Sequence, residues 1–243
     1  MAEKITYKSF GDRAILIEWK AEICPSISNN ILDFQQKIGA FENRNIVDTI
    51  VGYTSLTIVY NNPFEDYLNE ITVLKKINTS KDIDLKKSSF TWEIPVCYDL
   101  EFGIDLQEIS KVTNLEISEI VKLHSQSSYR VYFIGFLPGF LYLGGLNKQL
   151  FFDRKSNPRL KVAKGAVAIG GEQTGVYPSE SAGGWNIIGK TPVNFFNINQ
   201  DSPCFAKAGD FIKFVRIDKN EFLQIEKEVK AGSYQISKTL QND

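Results

Sequence analysis

His124 is the only histidine in this chain of 243 residues, so any chemistry that needs an imidazole has to use it. An imidazole titrates near neutral pH and can act as a general acid or base. A lone histidine excludes multi-histidine zinc sites and the HExxH chemistry of metalloproteases. His124 also falls at the end of a predicted helix, where an imidazole can merely bond the terminal carbonyl groups. A catalytic role and a structural role for His124 therefore both stay open.

A second set of candidate residues follows His124 and combines cations, an amide and aromatic rings. Cations can hold a carboxylate or phosphate, glutamine can bond a lactam or peptide group, and rings offer stacking faces. This combination suits a small anionic ligand, and its members are Arg159, Lys161, Lys164, Gln173, Tyr177 and Trp185. In the alternative interpretation the cations form a solvated edge while Tyr177 and Trp185 pack a barrel. Asp153 and Arg154 are adjacent opposite charges, which is typical of surface or turn pairs.

Glycine and aromatic residues are concentrated in two blocks of the chain. The first block, HSQSSYRVYFIGFLPGFLYLGGL, runs from His124 to Leu146. The second, PRLKVAKGAVAIGGEQTGVYPSESAGGWNIIGKTP, runs from Pro158 to Pro192. Glycine permits backbone shapes and close approaches that other residues forbid. The blocks therefore predict either a shaped, concave binding surface or a β-barrel with tight corners.

One segment of the second block matches the phosphate-binding loop motif GxxxxGK[ST]. It reads GWNIIGKT, from Gly184 to Thr191. A true loop of this kind follows a buried strand and opens a helix, whereas this segment follows the polar YPSESAG and precedes Pro192. The context favours a coincidental match. The nucleophile motif GxSxG does not occur in the sequence, so we assign no serine triad.

Hydrophobic periodicity predicts two domains. Residues 1–80 read as strand, helix, two strands and helix, the last helix covering about Phe64 to Ile77, which makes a small α+β domain. A polar, charged segment predicts a linker at residues 81–89. Apolar residues then alternate from Phe90, which predicts the first strand of a second domain, residues 90–243.

The second domain is predicted to contain two short helices and then many short strands. Glycine, proline and asparagine punctuate these strands, which is typical of an antiparallel barrel or sandwich. Pro138 and Gly139 predict a turn between two apolar runs. The residues from Ser233 onwards lack a pattern, and we expect them to be mobile.

Composition and charge limit the function classes. Lys and Arg total 28 and Asp and Glu total 29, so the formal net charge of −1 gives no field that would attract nucleic acid or an anionic membrane. No apolar run approaches the roughly 20 residues that span a bilayer, and the N-terminus lacks a signal-peptide core, so we expect a cytoplasmic protein. Cys24, Cys97 and Cys204 are scattered and odd in number, and we expect reduced, structural thiols.

Three motifs together resemble one known family. They are GDRAILIEW at Gly11 to Trp19, the HxxxxYxVxxIGFxPGFxYLGGL pattern from His124 and the GAVAIGGxQTGVYPxxSxGGWxxIGKTP pattern from Gly165. From about residue 10 to about residue 216 the chain resembles the PxpB/KipI family. Its members are known as the B subunit of 5-oxoprolinase, as inhibitors of a sporulation histidine kinase and as allophanate hydrolase subunit 1. The chain departs from the family at Ala182, where proline is usual.

The resemblance implies a fold and an activity. The fold would be a small α+β N-terminal domain followed by a mainly β domain, a cyclophilin-like antiparallel β-barrel. The activity would be that of the B subunit of an ATP-dependent 5-oxoprolinase, inactive alone, which hydrolyses 5-oxo-L-proline to L-glutamate with the A and C subunits. ATP would be used by the complex. In this picture His124 moves a proton, and Arg159 and Lys164 hold a carboxylate or phosphate. The pocket would be shaped by Gln173, Tyr177 and Trp185.

Two other functions stay open. A relative of the kinase inhibitors would bind a sensor histidine kinase through exposed apolar anchors, for which the candidates are Phe136, Leu137, Phe140 and Tyr142. The carboxyltransferase half of a biotin-dependent urea or amide carboxylase would receive biotin from another chain, because the sequence contains no biotinyl-lysine signature. Exposed anchors would favour the inhibitor, and a closed polar pocket would favour the enzyme.

Overall fold

The computed structural model describes residues 5–41, 45–80 and 88–241. The chain divides into two compact units, residues 1–87 and 88–243. Residues 81–87, which make up most of the predicted linker, lie outside the described residues, and the boundaries of the domains stay a prediction. Within the described ranges, none of the helices has the length and apolar character needed to cross a membrane.

The first unit is a four-stranded antiparallel sheet with two helices. Its elements in chain order are β1 (Thr6–Ser9), β2 (Ala14–Glu18), α1 (Pro25–Ala40), β3 (Ile46–Val51), β4 (Ser55–Tyr60) and α2 (Tyr67–Thr79). The strand order in the sheet is β1-β2-β4-β3. Alternate residues of β2 and β4, such as Ile15, Ile17, Leu56 and Ile58, are fully buried, and they form one core with the apolar side of α1.

Helix α2 begins later than the sequence pattern predicts. The apolar spacing predicts a start near Phe64, but the helix starts at Tyr67 because the carboxylate of Asp66 caps it by accepting a hydrogen bond from the backbone N–H of Asn69 at 2.9 Å. Phe64 instead packs edge-on against the ring of Tyr60, with centroids 4.9 Å apart. Capping, rather than apolar spacing, sets this boundary.

In the part of the second unit that the structure describes, seven strands form a closed barrel, accompanied by three α-helices and a short 3₁₀ helix, Lys148–Leu150. The α-helices are α3 (Leu106–Thr113), α4 (Ile117–Gln126) and α5 (Lys219–Ala231). The strands are β5 (Ser89–Cys97), β6 (Ser128–Ile134), β7 (Leu141–Gly144), β8 (Arg159–Val162), β9 (Ala166–Gly170), β10 (Gln173–Val176), β11 (Ser181–Gly183), β12 (Asn186–Lys190) and β13 (Phe211–Ile217), followed by β14 (Lys238–Gln241). Around the barrel the order is β12-β9-β10-β7-β6-β13-β5, and β5 pairs with β12 to close the ring. Strands β8 and β11 form a separate two-stranded ribbon.

Two features of the second unit correct the expectations from sequence. Strands β5 and β13 run parallel, so the barrel is not wholly antiparallel. The segment after Ser233, expected to be mobile, contains β14, which pairs with β5 from Ser89 to Trp92. All of β14 is exposed, so its side chains show no alternation of buried and exposed positions. Its place is set by backbone pairing to β5, which side-chain patterns do not reveal.

Strand β9 is buried on both faces and separates two apolar clusters. Successive side chains of a strand point to opposite faces. Val167 and Ile169 belong to the core of the barrel, whereas Ala166 and Ala168 belong to a second cluster. The other buried members of this second cluster are Phe140, Val162, Tyr177, Trp185 and Ile187. Since Val162 comes from β8, the second cluster fills the space between the barrel wall and the β8–β11 ribbon.

The segment that matches the phosphate-binding loop motif is a strand of the barrel. Strand β12 occupies most of this segment, pairs with β9 and meets β5 where Lys190 lies opposite Cys97. A Cβ on Gly189 would lie 2.8 Å from the carbonyl oxygen of Cys97, so this glycine serves close packing of two strands. Residues 191–200 contain no helix. The sequence context of the motif therefore correctly predicts that its match to a phosphate-binding loop is coincidental.

Candidate functional site

A pocket lined mainly by aromatic rings opens beside the second cluster, within the second unit. We call it the aromatic pocket. Its volume is about 350 Å³, which is within the usual range for a small-molecule site. Its cations are Arg154 and Lys155, and its rings are those of Phe136, Phe140, Tyr142, Tyr177 and Trp185. Pro158 and residues 182–184 complete the lining.

Phe140 is the centre of the ring cluster. Its ring meets those of Tyr142, Tyr177 and Trp185 edge to face, with centroids 5.1, 5.8 and 5.6 Å apart. Edge-to-face contacts of this length are favourable for aromatic pairs. Phe140 follows the turn at Gly139, whose φ of +82° suits glycine, and this turn brings the β6–β7 hairpin to the pocket.

Glycines let the rings lie against the barrel wall. A Cβ at Gly170 would lie 2.5 to 2.6 Å from three atoms of the Trp185 indole. A Cβ at Gly183 would overlap the hydroxyl oxygen of Tyr177. Two glycines of the second block therefore provide space for aromatic rings. This agrees with both interpretations of the block, since the glycines allow close contacts in the barrel and also shape the pocket.

A buried carboxylate holds two cations beside the pocket. The side chain of Asp105 is 4% exposed, and it accepts a hydrogen bond from Nη2 of Arg159 at 2.7 Å. The Nζ atom of Lys155 lies 3.1 Å from Asp105 and 2.8 Å from Glu108. The backbone N–H of Ile187 also donates to Asp105, at 2.7 Å. Burial raises the pKa of Asp105, but these hydrogen bonds lower it by more, so the pKa lies below its usual value and the carboxylate is ionised at neutral pH.

Arg154 is the cation that remains at the pocket. Its side chain is exposed, and its guanidinium lies over the indole of Trp185, 5.6 Å from the ring centroid. No ion pair involves Arg154 in the described part of the chain. The sequence pattern missed this residue because the neighbouring Asp153 indicated a surface pair, and the cation–ring contact depends on the tertiary fold.

The structure brings together only part of the predicted binding set. Tyr177 and Trp185 line the pocket, and Arg159 lies beside it with its charge engaged by Asp105. Lys164 is exposed in the turn before β9 and does not line the pocket. Gln173 does not line it either, because it begins β10 whereas Tyr177 follows the other end of that strand. The binding roles of these residues stay predictions.

His124 lies in the barrel core and does not line the pocket. It projects from the last turn of α4, is fully buried and stacks on Phe214 with ring centroids 4.7 Å apart. Its Nε2 lies 2.8 Å from the hydroxyl oxygen of Thr174, and its Nδ1 lies 2.8 Å from that of Tyr98. Thr174 donates its own hydroxyl hydrogen to the carbonyl oxygen of Ala168 at 3.0 Å. Thr174 therefore accepts from His124, which assigns the proton of the ring to Nε2.

This environment keeps the imidazole neutral. Burial lowers the pKa of His124 to about 3, and the neutral ring satisfies both of its nitrogens, since Tyr98 donates to Nδ1. At neutral pH His124 is a hydrogen-bond bridge between Tyr98, which follows β5, and Thr174 of β10. Its catalytic role stays a prediction, and its surroundings favour the structural alternative.

The anchors that the kinase-inhibitor hypothesis requires are mostly covered. Phe136 is 61% exposed, but Phe140 is 2% exposed, and Leu137 and Tyr142 are partly buried. Phe136 has a φ of +64°, a left-handed backbone conformation that is costly for a bulky side chain. A single exposed ring does not make an anchor cluster. Among the described residues, no group of three or more His, Cys, Asp and Glu could hold a metal ion.

Comparison with known proteins establishes the class of protein. Residues 5–206 match the family model described as carboxyltransferase domain, subdomain C and D, and the chain belongs to this family. A protein of Bacillus subtilis (strain 168), named as the B subunit of 5-oxoprolinase, is 33% identical over 241 residues, which cover 94% of this chain and 99% of that protein. The resemblance to the PxpB/KipI family is thereby confirmed.

Solved structures support the fold. TTHA0988 is 28% identical with a TM-score of 0.73, and the match covers 85% of this chain and 40% of that chain. The K. lactis urea amidolyase has a TM-score of 0.81 at 18% identity, which shows the fold alone, and the match covers 99% of this chain and 16% of that chain. The chain thus spans less than half the length of either protein. The predicted fold class, a small α+β unit followed by a mainly β barrel unit, is confirmed.

Replacing Asp105 with Asn is expected to lower the free energy of unfolding by about 2–4 kcal/mol, because Arg159 and Lys155 would lose the buried carboxylate that compensates their charges. Urea-induced unfolding at neutral pH measures the loss. Glu108→Gln is the matched control: the Glu108 side chain is 57% exposed, and its loss should cost less than about 1 kcal/mol. Equal losses in the two variants would show that Asp105 does not have this role.

Replacing Gly170 with Ala is expected to displace the Trp185 indole and to cost about 1–3 kcal/mol, because the ring cannot yield without moving its neighbours. Gly135→Ala is the control, since a Cβ there would meet its nearest atom at an ordinary 3.5 Å. The free energies of unfolding and the tryptophan emission spectra of both variants should be compared with the wild type. A Gly170→Ala protein with wild-type stability and emission would contradict the packing account.

The free energy of unfolding is expected to decrease as the pH falls below about 6.5, the usual pKa of an unfolded histidine. Folded His124 has a pKa of about 3, so between these values the unfolded chain binds more protons than the folded chain. This one group then contributes a slope of up to about 1.4 kcal/mol per pH unit, with stability rising with pH.

A His124→Gln variant should lose this contribution, because glutamine keeps a donor and an acceptor but does not titrate in this range. Urea unfolding of both proteins at about pH 7 and about pH 5 measures the difference in slope. The carboxylates are the same in both proteins and cancel in the comparison. Identical slopes would mean that His124 is not held neutral in the folded state.

Proposed function

We propose that this chain is the B subunit of an ATP-dependent 5-oxoprolinase, inactive alone, which acts with the A and C subunits to hydrolyse 5-oxo-L-proline to L-glutamate. The observation that carries the proposal is the identity of 33% to the B subunit of 5-oxoprolinase from Bacillus subtilis over nearly the full length of both proteins. The name of that relative implies an assembly with other subunits. The biotin-dependent carboxylase alternative has weaker support, because the urea amidolyase structure shows the fold alone.

The aromatic pocket supports a role in substrate binding. 5-Oxo-L-proline is a compact five-membered lactam that carries one carboxylate. Its ring suits aromatic walls, and its carboxylate suits a cation at the entrance. Phe136 is 61% exposed at the pocket. Contact with another subunit of the complex would cover this ring.

The reaction opens the lactam ring. Water adds to the carbonyl carbon, the bond from that carbon to nitrogen breaks, and a proton passes to nitrogen, which leaves the amine and the new carboxylate of L-glutamate. His124 is neutral, buried and outside the pocket lining. We therefore assign to this chain the binding and orientation of the substrate, and to one of the other subunits the group that transfers the proton.

ATP is likewise assigned to the other subunits. The segment of this chain with the letters of a phosphate-binding loop forms strand β12, and its Lys190 lies over the rings of Phe102 and Phe222, 5.8 Å from each centroid. A phosphate-binding loop would instead turn its backbone N–H groups and its lysine toward the phosphates. These residues do not fit ATP, and no step of the reaction is assigned to ATP on this chain.

Reconstitution tests the proposal. The chain, mixed with the A and C subunits of the same organism, is expected to form L-glutamate from 5-oxo-L-proline only when ATP is present, and each mixture that omits one of the three proteins should be inactive. Glutamate and phosphate release are the two measurements. Full activity of the A and C subunits without this chain would overturn the proposal. Inhibition of a sensor kinase by this chain, with no turnover in the complete mixture, would establish the inhibitor function instead.

A further inference from the structure

The charges around the aromatic pocket leave one positive charge unpaired among the described residues. Arg159 and Lys155 lie 2.7 to 3.1 Å from the carboxylates of Asp105 and Glu108, so two positive charges meet two negative ones. Arg154, the other cation of the lining, has no ion pair among the residues that the structure describes. Of the two cations of the lining, Lys155 is therefore paired with carboxylates beside the pocket, and the charge of Arg154 stays unpaired in the described part of the chain, which suits a ligand with one negative charge.

Arg154 is placed so that its charge acts on the pocket. Its guanidinium lies over the Trp185 ring, 5.6 Å from the centroid, and the next residue, Lys155, donates its backbone N–H to the carbonyl oxygen of Gly184 at 2.7 Å. A guanidinium over a ring keeps N–H donors in its plane, and these match the two oxygens of a carboxylate. The charge of Arg154 also acts on the pKa of Tyr177, whose ring is part of the lining. Burial raises the pKa of Tyr177, while a hydrogen bond with the Trp185 backbone and the charges of Arg154 and Arg159 oppose the rise.

The rest of the lining selects for a compact, flat ligand. Rings dominate it, and the volume of about 350 Å³ is near the lower end for small-molecule sites. The rings of Tyr177 and Trp185 are almost completely buried and are held edge to face by Phe140. Rigid ring walls with one cation at the edge fit a small cyclic carboxylate better than an extended chain or a phosphate ester.

We propose that Arg154 anchors the carboxylate of a small cyclic monocarboxylate in the aromatic pocket, and that this contact makes the pocket prefer such a ligand to its uncharged analogue. The inference rests on the proposed function for its choice of ligand, since 5-oxo-L-proline belongs to this class. It adds the residue that recognises the substrate and the group on the substrate that is recognised.

A binding comparison tests the anchor on the full-length chain. The probes are 5-oxo-L-proline and 2-pyrrolidinone, which has the same lactam ring without the carboxylate, each titrated to millimolar concentration and followed by ligand-observed NMR. The wild type should bind 5-oxo-L-proline about tenfold or more tightly than 2-pyrrolidinone. Arg154→Gln should abolish this preference by weakening only the binding of 5-oxo-L-proline, and Arg154→Lys, which keeps the charge without the planar pair of donors, should retain part of it.

Arg216→Gln is the matched control, because Arg216 is an exposed arginine of β13 that does not line the pocket. It should bind both probes like the wild type. Melting temperatures of all variants establish that each is folded. No binding of 5-oxo-L-proline to the wild type at millimolar concentration, equal binding of the two probes, or an Arg154→Gln protein that keeps the preference would each overturn the inference.

Kinetics of the reconstituted enzyme separate this inference from the proposed function. In an active complex, Arg154→Gln should raise KM for 5-oxo-L-proline about tenfold or more with a much smaller change in kcat. An active complex with unchanged KM in this variant would overturn the role of Arg154 and leave the proposed function standing. An inactive complex, together with the Arg154-dependent preference on the chain alone, would overturn the proposed function and leave the anchor standing.

Discussion

The buried carboxylate of Asp105 is the interaction on which the surroundings of the pocket depend. Asp105 is the residue before α3. Its carboxylate accepts a hydrogen bond from the backbone N–H of Ile187 on β12 and forms ion pairs with Arg159 of β8 and with Lys155 of the loop before β8. The backbone N–H of Asp105 in turn donates to the carbonyl oxygen of Ile187 at 3.0 Å. A buried charge is tolerated only when its partners are all in place, so this one group ties a helix, a barrel strand and the β8–β11 ribbon together. The same ion pairs neutralise the charges of Arg159 and Lys155, so the unpaired charge of Arg154 acts on the pocket.

The wall of the barrel supports the aromatic rings of the pocket. Strand β9 presents Val167 and Ile169 to the barrel core and Ala166 and Ala168 to the second cluster, so the wall of the barrel is also the support of the pocket rings. Small residues on the outer face leave room for Trp185, whose indole lies against Gly170. One strand therefore belongs both to the core of the barrel and to the support of the pocket rings.

His124 shows how one residue type can indicate chemistry in the sequence and make structural contacts in the folded chain. A single histidine at a helix end ahead of a glycine-rich block is compatible with an acid–base catalyst. In the folded chain the ring lies in the barrel core, where desolvation keeps it neutral and Tyr98 and Thr174 satisfy both nitrogens. A buried polar group that is fully satisfied helps to specify one arrangement of the strands around it.

The amino-acid sequence by itself determined the order of most elements, the α+β unit followed by a mainly β unit, and the family. These depend on local apolar alternation, helical spacing and long glycine–aromatic motifs, all of which are encoded by neighbours in the chain. The tertiary structure alone decided the parallel pairing of β5 with β13, the pairing of the wholly exposed β14, and which cations meet Asp105. The tertiary structure also shows that Gln173 and Lys164 do not line the pocket and that the guanidinium of Arg154 lies over the ring of Trp185. Contacts of this kind join residues that are distant in the chain, and their geometry follows from barrel closure and burial of charge, which no local pattern encodes.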